Sequence, residues 1–122
     1  MSCHDKLEES VGISLLLDFY GELLKSRQRE LLELYFSEDL SLSEIASRTG
    51  ITRQGALDGI RRGEKFLRET EEKLGLVKRF RETRETAATL VRGLRAMAAG
   101  EVPPEKLPSE ADRLAALAEA LL

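Results

Sequence analysis

Residues 41–62 read SLSEIASRTGITRQGALDGIRR, a stretch that predicts a short helix, a tight turn and a second helix. Ser41 and Glu44 have the spacing of a capping box, in which each side chain bonds the other residue's backbone N–H. Gly50 can take the left-handed conformation that often follows a helix. Thr52 can then cap the second helix through its hydroxyl. The stretch therefore predicts a helix-turn-helix.

Apolar spacing predicts how these two helices pack. Ile45 and Ala46 are expected to point inward from the first helix, and Ala56 and Ile60 from the second, four residues apart on one face. The small side chain of Ala46 lets the two helices cross closely, as a helix-turn-helix requires.

The outward face of the second helix carries side chains suited to phosphates and base edges. We expect Arg53 and Gln54 to enter the major groove of DNA, while Arg61, Arg62 and Lys65 hold phosphates. Arg48 and Arg27 would be outlying supports. The candidate DNA-contacting set is Arg48, Thr52, Arg53, Gln54, Leu57, Asp58, Arg61, Arg62 and Lys65.

Composition predicts an all-α protein. The 122 residues are rich in Leu, Ala, Glu and Arg and include only three prolines, and no segment alternates in the manner of a strand. We find neither a run of about eighteen apolar residues nor a signal-peptide pattern, which predicts a cytoplasmic protein that does not enter a membrane. The single cysteine, Cys3, excludes an internal disulfide.

Charge is distributed unevenly along the chain, whose net charge is −3. Residues 1–47 hold ten acidic and four basic side chains, whereas residues 78–100 hold six basic and two acidic ones. Residues 48–77 have a net charge of +2, and residues 101–122 return to −3. Positive charge is thus gathered on the second helix of the motif and on the helix after it. This permits DNA binding and predicts weak non-specific affinity.

Two helices are expected before the motif, at about 7–24 and 27–36. The first would bury the face formed by Val11, Leu15, Phe19 and Leu23, joined by Leu16 and Tyr20. In the second, Ser26 would be the cap and the inward residues would be Leu31, Leu34 and Tyr35. The motif helices themselves are expected at 42–48 and 53–72.

After Gly75 a long helix is expected at about 76–99, with an apolar seam close to a heptad pattern. The seam consists of Phe80, Thr83, Ala87, Leu90, Leu94 and Met97. Two interpretations of this helix stay open. Its apolar seam could pack against the domain or against a second copy of the chain, or its arginines could form a surface for RNA or DNA phosphates. The packing interpretation is favoured. Ser109 would cap a last helix after a linker. The predicted organisation is 1–74 helix-turn-helix domain, 75–100 long helix, 101–108 linker and 109–122 terminal helix.

Residues 23–69 are similar to the promoter-reading C-terminal region of bacterial sigma factors, and three segments resemble the YlxM family of small bacterial helix-turn-helix proteins more closely. These segments are LLDFYGELL at 16–24, ITRQGALDGIRRGE at 51–64 and EEKLGLVKRF at 71–80. The resemblance implies a winged-helix-like or sigma region 4-type bundle with a long C-terminal helix and a short terminal helix. Since the family is encoded beside signal recognition particle genes, it also implies an association with that particle. The chain has no partner region for core polymerase, so a free-standing sigma factor is not expected.

Two features have alternative explanations. Gly55, Gly59 and Gly63 form a strip without side chains along the second helix, where the family more often has larger residues, and each costs about 1 kcal/mol relative to alanine. The strip could allow close approach of a helix or a DNA backbone, or it could be tolerated drift; drift is favoured. Leu57 could contact a thymine methyl or be half-buried against a following helix.

No set of catalytic residues is found. Cys3 and His4 stand together near an N-terminus expected to be frayed, and the pair is too small to enclose a zinc ion. We therefore expect no enzyme activity, metal or cofactor. The sequence predicts a DNA-binding regulator, with homodimerisation through the long helix. The alternative is an adaptor that binds the protein or RNA of the signal recognition particle through the arginines of residues 78–95.

Overall fold

A computed structural model describes the backbone from Cys3 to Leu122 and the side chains from Gly12 onward. No strand occurs in that range, which confirms the all-α prediction and means that the helix-turn-helix has no β-wing there. The side chains of Cys3, His4 and Val11 lie outside the described residues. Between Cys3 and Leu122, no helix combines the length and the apolarity needed to cross a bilayer.

Six α-helices follow one another in the described chain. They are α1 (Cys3–Tyr20), α2 (Ser26–Leu32), α3 (Leu42–Thr49), α4 (Arg53–Leu74), α5 (Leu76–Ala98) and α6 (Leu107–Ala120). Short 3-10 turns occur at Gly21–Leu23 and Pro104–Lys106, and a π-helical turn at Glu33–Ser37 continues α2. The chain divides into a first unit that ends at Val77 and a second unit, Lys78–Leu122.

The first unit has an apolar core built by α1 to α4, but the buried face of α1 differs from the predicted one. Phe19 is 39% and Leu23 61% exposed. Leu16 and Tyr20 are buried as predicted, and the other buried residues of this region are Ile13, Leu17 and Leu24. Apolar residues cover more than one face of α1, so periodicity alone does not select the buried face. The 3-10 turn at Gly21–Leu23 then shifts the register, which turns Leu23 outward and Leu24 inward.

The predicted cap of α2 is also wrong. Ser26 is the first helical residue, and Lys25, in extended conformation, occupies the N-cap without a side-chain hydrogen bond. Leu31 and Leu34 are buried as predicted, and Tyr35 is half-buried.

Gly59 and Gly63 of the glycine strip pack against α2, so tolerated drift is the wrong explanation for these two residues, whereas a Cβ at Gly55 would meet only Thr52 Oγ1. A Cβ at Gly59 would lie 2.5 Å from Leu31 Cδ1, and one at Gly63 would lie 2.7 Å from Leu32 Cδ1. Both leucines are at most 1% exposed and have little room to move. The two glycines therefore let α4 approach α2 closely, which fixes the face that α4 turns to solvent.

The end of α4 is tied to α1 by hydrogen bonds around Tyr20, which is 1% exposed. The Tyr20 hydroxyl donates to Glu71 Oε1 at 2.6 Å and accepts from the Leu76 N–H at 3.1 Å. Glu71 Oε1 also accepts from the Val77 N–H at 3.0 Å. Burial of the Tyr20 side chain raises its pKa, and the hydrogen bond to Glu71 raises it further. These bonds hold the turn at Gly75, whose φ is +64°.

In the second unit, α5 and α6 pack against each other where Leu114 contacts Gly93. The α6 helix begins at Leu107, two residues before the predicted position, because Pro108 fits the first turn of a helix. Ser109 is not the cap; its hydroxyl lies within the first turn and donates to the Lys106 carbonyl at 3.0 Å.

The predicted seam of α5 divides into two parts. Leu90, Leu94 and Met97 line an apolar pocket of about 310 Å³ with residues of α6. Phe80 and Val91 are 37% and 44% exposed, and Leu94 is 53% exposed although it lines the pocket. Ala87 lies between these residues at helical spacing, and we call Phe80, Ala87, Val91 and Leu94 the apolar stripe of α5.

Candidate nucleic-acid interface

The first motif helix begins and ends as predicted. Ser41 Oγ accepts from the Glu44 N–H at 3.1 Å, and Glu44 Oε1 accepts from the Ser41 N–H at 3.2 Å, which completes the capping box. Gly50 follows the helix with a φ of +75°, and its N–H donates to the Ala46 carbonyl at 3.0 Å. These local bonds fix the turn that leads into α4.

The second motif helix is capped by Thr52, whose Oγ1 accepts from the Gly55 N–H at 2.9 Å. Ile45 and Ala56 are fully buried and Ile60 is 3% exposed, while Ala46 is half-buried. The predicted helix-turn-helix packing is therefore confirmed. The Thr52 hydroxyl is occupied as a cap, so its structural role is to start α4.

Most of the predicted contact residues lie on the exposed side of α4. These are Arg53, Gln54, Asp58, Arg61, Arg62 and Lys65. Gln54 Nε2 donates to Asp58 Oδ1 at 3.0 Å, one turn further along the helix. This bond orients the Gln54 amide and leaves its carbonyl oxygen able to accept a further hydrogen bond.

Ion pairs divide the basic side chains into two groups. Arg48 pairs with Glu38 at 3.6 Å, Lys65 with Glu69 at 3.8 Å and Arg27 with Glu30 at 3.4 Å. No carboxylate of the described residues pairs with Arg53, Arg61 or Arg62. Three guanidinium groups on α4 are thus exposed and have no ion pair with any described carboxylate, a difference that the sequence alone does not show.

Leu57 is half-buried, and it lines a cleft beside the exposed face of α4. The cleft has a volume of about 720 Å³ and runs between α4, the π-helical turn and the start of α3. The sequence does not reveal this cleft, because Tyr35 is expected there only as a core residue and Phe36, which also lines it, carries no prediction. The position of Tyr35 and Phe36 at the end of α2, next to the motif, is the sequence signal that could have indicated the cleft.

Comparison with known proteins gives a consistent family match. The family model described as "Putative helix-turn-helix protein, YlxM / p13 like" (UPF0122) matches residues 7–98, which include α2 to α5. A UPF0122 protein of Acetivibrio thermocellus is 45% identical over 93 residues, 76% of this chain and 77% of that protein. A UPF0122 protein of Desulforamulus reducens is 42% identical over 97 residues, 80% of this chain and 83% of that protein. The matched family residues end before α6 begins.

Proposed function

Because the chain belongs to the UPF0122 family of helix-turn-helix proteins, we propose that it binds duplex DNA through the exposed face of α4. The observation that carries this proposal is the set of three exposed guanidinium groups, Arg53, Arg61 and Arg62, without carboxylate partners among the described residues. A cationic side chain that is not in an ion pair can bind a DNA phosphate, and so release the counterions condensed on the DNA, without first breaking an ion pair within the protein. A regulator of this kind acts in the cytoplasm, as the sequence predicts.

The position of each side chain suggests its role. Arg53 and Gln54 are in the first turn of α4, the part of a recognition helix that reaches base edges in the major groove. Arg53 has the fork of donors that reads guanine, and Gln54 can pair with adenine. Arg61 and Arg62 lie two turns further along α4 and would bind phosphates. Lys65 and Arg48 would also bind phosphates after their ion pairs with Glu69 and Glu38 break. Asp58 would orient Gln54 through their hydrogen bond.

We also propose that the protein is a homodimer joined through the apolar stripe of α5. Leu114 is the one large apolar side chain of the second unit, Lys78–Leu122, that is buried, so two helices are held by little apolar contact. Units of this size seldom bury enough apolar surface to be stable alone. A second copy would cover Phe80, Val91 and Leu94, and two copies could present two recognition helices to one duplex. Light scattering at micromolar concentration tests this proposal, and a monomer mass would refute it.

A second candidate function is that of an adaptor for the signal recognition particle. Arg79, Arg81 and Arg95 of α5 are exposed, and no carboxylate of the described residues pairs with them. They would bind the phosphates of the particle's RNA. Co-purification from a bacterial lysate, with and without nuclease, separates the candidates. Recovery of the particle after DNase, without enrichment of DNA, would favour the adaptor.

Selection from a random duplex library is the experiment that tests DNA binding. We expect repeated rounds of capture to enrich a common sequence, and fluorescence anisotropy to show that the enriched duplex binds more tightly than a scrambled one. A variant with alanine at Arg53, Arg61 and Arg62 should capture no duplex above background. Failure of the native chain to enrich any sequence would refute sequence-specific recognition.

A further inference from the structure

The apolar pocket between α5 and α6 lies wholly within the second unit, Lys78–Leu122. Leu90, Leu94 and Met97 form the wall on α5, and α6 forms the other wall with Leu114 and three alanines. Leu114 is buried, whereas Leu94 and two of the alanines, Ala111 and Ala115, are exposed. Every side chain that lines the pocket is apolar, so an apolar side chain is the occupant that suits it.

The apolar stripe of α5 is symmetric about Ala87. Phe80 and Leu94 lie seven residues before and after Ala87, on one face of the helix. Two α5 helices that cross antiparallel at Ala87 therefore bring Phe80 of each copy against Leu94 of the other, with both contacts identical. Because Leu94 also lines the pocket, this pairing places an aromatic ring at the mouth of each pocket. The small side chain of Ala87 lets the two helices approach closely where they cross.

Charge favours this antiparallel pairing over a parallel one. Residues 78–84 hold four basic side chains and one acidic one, and two parallel α5 helices would set these basic segments side by side. Residues 85–98 are less basic, with two basic side chains and one acidic one, and α6 holds three acidic side chains and one basic one. An antiparallel partner sets its residues 78–84 beside both of these segments.

Two acids of α6 are available for that pairing. Arg113 already binds Glu110, which leaves Asp112 and Glu119 without an ion pair among the described residues. Both side chains are exposed. Opposite charges across an interface fix its orientation, and here they select the copy whose basic segment approaches α6.

Phe80 is the one aromatic residue of the sequence between Lys78 and Leu122. Its side chain is 37% exposed, and the guanidinium carbon of Arg84 lies 5.9 Å from the centre of its ring. Full burial of an aromatic side chain removes about 150–250 Å² from water. A pocket of about 310 Å³ has room for the phenyl ring.

We infer that the dimer is antiparallel and that Phe80 of each copy enters the pocket between α5 and α6 of the other. This inference rests on the homodimer described under the proposed function. It assigns α6, which lies outside the matched family residues, a part in the interface. Each pocket is filled only when the second copy is present.

Cross-linking of single cysteines tests the orientation. Thr83 and Val91 lie four residues before and after Ala87, so an antiparallel pair sets Thr83 of one copy opposite Val91 of the other. Like positions are then about 12 Å apart along the helix axis. With Cys3 replaced by serine, a bismaleimide shorter than this distance should join Thr83→Cys chains to Val91→Cys chains after mixing and should join neither variant to itself. Covalent dimers of either variant alone, or none after mixing, would overturn the antiparallel arrangement.

Ala115→Glu and Ala116→Glu form a matched pair that tests the pocket. Both alanines are exposed neighbours on α6, but only Ala115 lines the pocket. Ala115→Glu should raise the dissociation constant of the dimer at least about tenfold in sedimentation equilibrium, because it sets a charge where the Phe80 ring is buried. Ala116→Glu should change this constant by less than about twofold. Equal effects of the two substitutions would overturn occupation of the pocket.

The outcomes separate this inference from the dimer on which it rests. A monomer mass for the native chain would refute the dimer and the inference together. A native dimer that Val91→Glu dissociates and Ala115→Glu leaves intact would support an interface on the apolar stripe and overturn the role of the pocket. All of these measurements are made without DNA, so their results do not depend on whether the chain binds a duplex.

Discussion

The hydroxyl of Tyr20 donates to Glu71 Oε1 over 2.6 Å and thereby joins α1 to the last turns of α4. The same two side chains accept the backbone N–H groups of Leu76 and Val77. A buried hydroxyl and a carboxylate thus hold the start of α5 as well as the end of the recognition helix. These hydrogen bonds hold the C-terminal end of α4, whereas the motif turn holds its N-terminal end.

Replacing Tyr20 by phenylalanine should lower the free energy of unfolding by about 1–3 kcal/mol, because the Leu76 N–H loses its acceptor and Glu71 loses one of its donors. Urea unfolding measures the change. Tyr35→Phe is the matched control, since Tyr35 is half-buried and its hydroxyl has no hydrogen-bond partner among the described residues. Equal losses in the two variants would contradict a specific role for the Tyr20–Glu71 bond.

The same substitution should alter the alkaline limit of stability. The pKa of Tyr20 is raised in the folded state, so above about pH 10 the unfolded chain releases this proton while the folded chain keeps it. The contribution of Tyr20 is complete below the unfolded pKa and is lost as pH rises toward the folded one. Unfolding curves between pH 9 and pH 11 should therefore show a smaller loss for Tyr20→Phe than for the native chain.

Alanine at Gly63 should destabilise the protein by about 1–3 kcal/mol, although glycine to alanine in a free helix gains about 1 kcal/mol. The reason is the contact of the added Cβ with Leu32 Cδ1 and Cγ, at 2.7 and 3.3 Å. Thermal and urea unfolding measure the effect. In a Leu32→Ala background the added methyl has room, so its cost should shrink or reverse sign. An unchanged cost in that background would show that the helix contact is not the cause.

Much of the motif could be predicted because its signals are local. Ser41, Glu44, Gly50 and Thr52 act within three or four residues of their partners, so spacing alone places them. Ile45, Ala56 and Ile60 follow from helical periodicity. Hence the turn, both caps and the contact between α3 and α4 agree with the sequence-based expectations.

The remaining features depend on neighbours that are distant along the chain. The role of Gly59 and Gly63 is decided by Leu31 and Leu32, and the ion pair of Arg48 by Glu38 on the preceding loop. The buried face of α1 is selected by packing, because its sequence offers more than one apolar face. Periodicity carries no information on such choices.

Glu38→Gln should strengthen DNA binding about two- to fivefold, because it frees Arg48 from an exposed ion pair worth about 0.2–1 kcal/mol. Anisotropy titrations with one duplex measure the effect. Glu22→Gln is the control, since it changes net charge equally at an exposed residue that has no ion pair among the described residues. An identical gain in both variants would mean that net charge, and not release of Arg48, is responsible.

Val91→Glu should convert the proposed dimer to a monomer, because it places a charge in the apolar stripe of α5. Val91 is 44% exposed, so the substitution should leave the fold of the chain intact. Ala116→Glu, on an exposed position of α6, adds the same charge away from the stripe. Light scattering should give a monomer mass for Val91→Glu and a dimer mass for Ala116→Glu. A dimer mass for both would place the interface elsewhere.

The central claim is that Arg53, Arg61 and Arg62 of α4, which have no carboxylate partner among the described residues, bind DNA, with Arg61 and Arg62 on its phosphates. A salt titration of duplex affinity tests this claim most directly. For the native chain, the logarithm of the binding constant should fall linearly with the logarithm of salt concentration. Arg62→Ala should weaken all duplexes and reduce this slope by about one unit, whereas Arg68→Ala, whose guanidinium already binds Glu64, should leave the slope nearly unchanged. Arg53→Ala should cost about 1–3 kcal/mol and relax base preference. Binding that is absent at low salt, or a slope that Arg62→Ala does not alter, would contradict the claim.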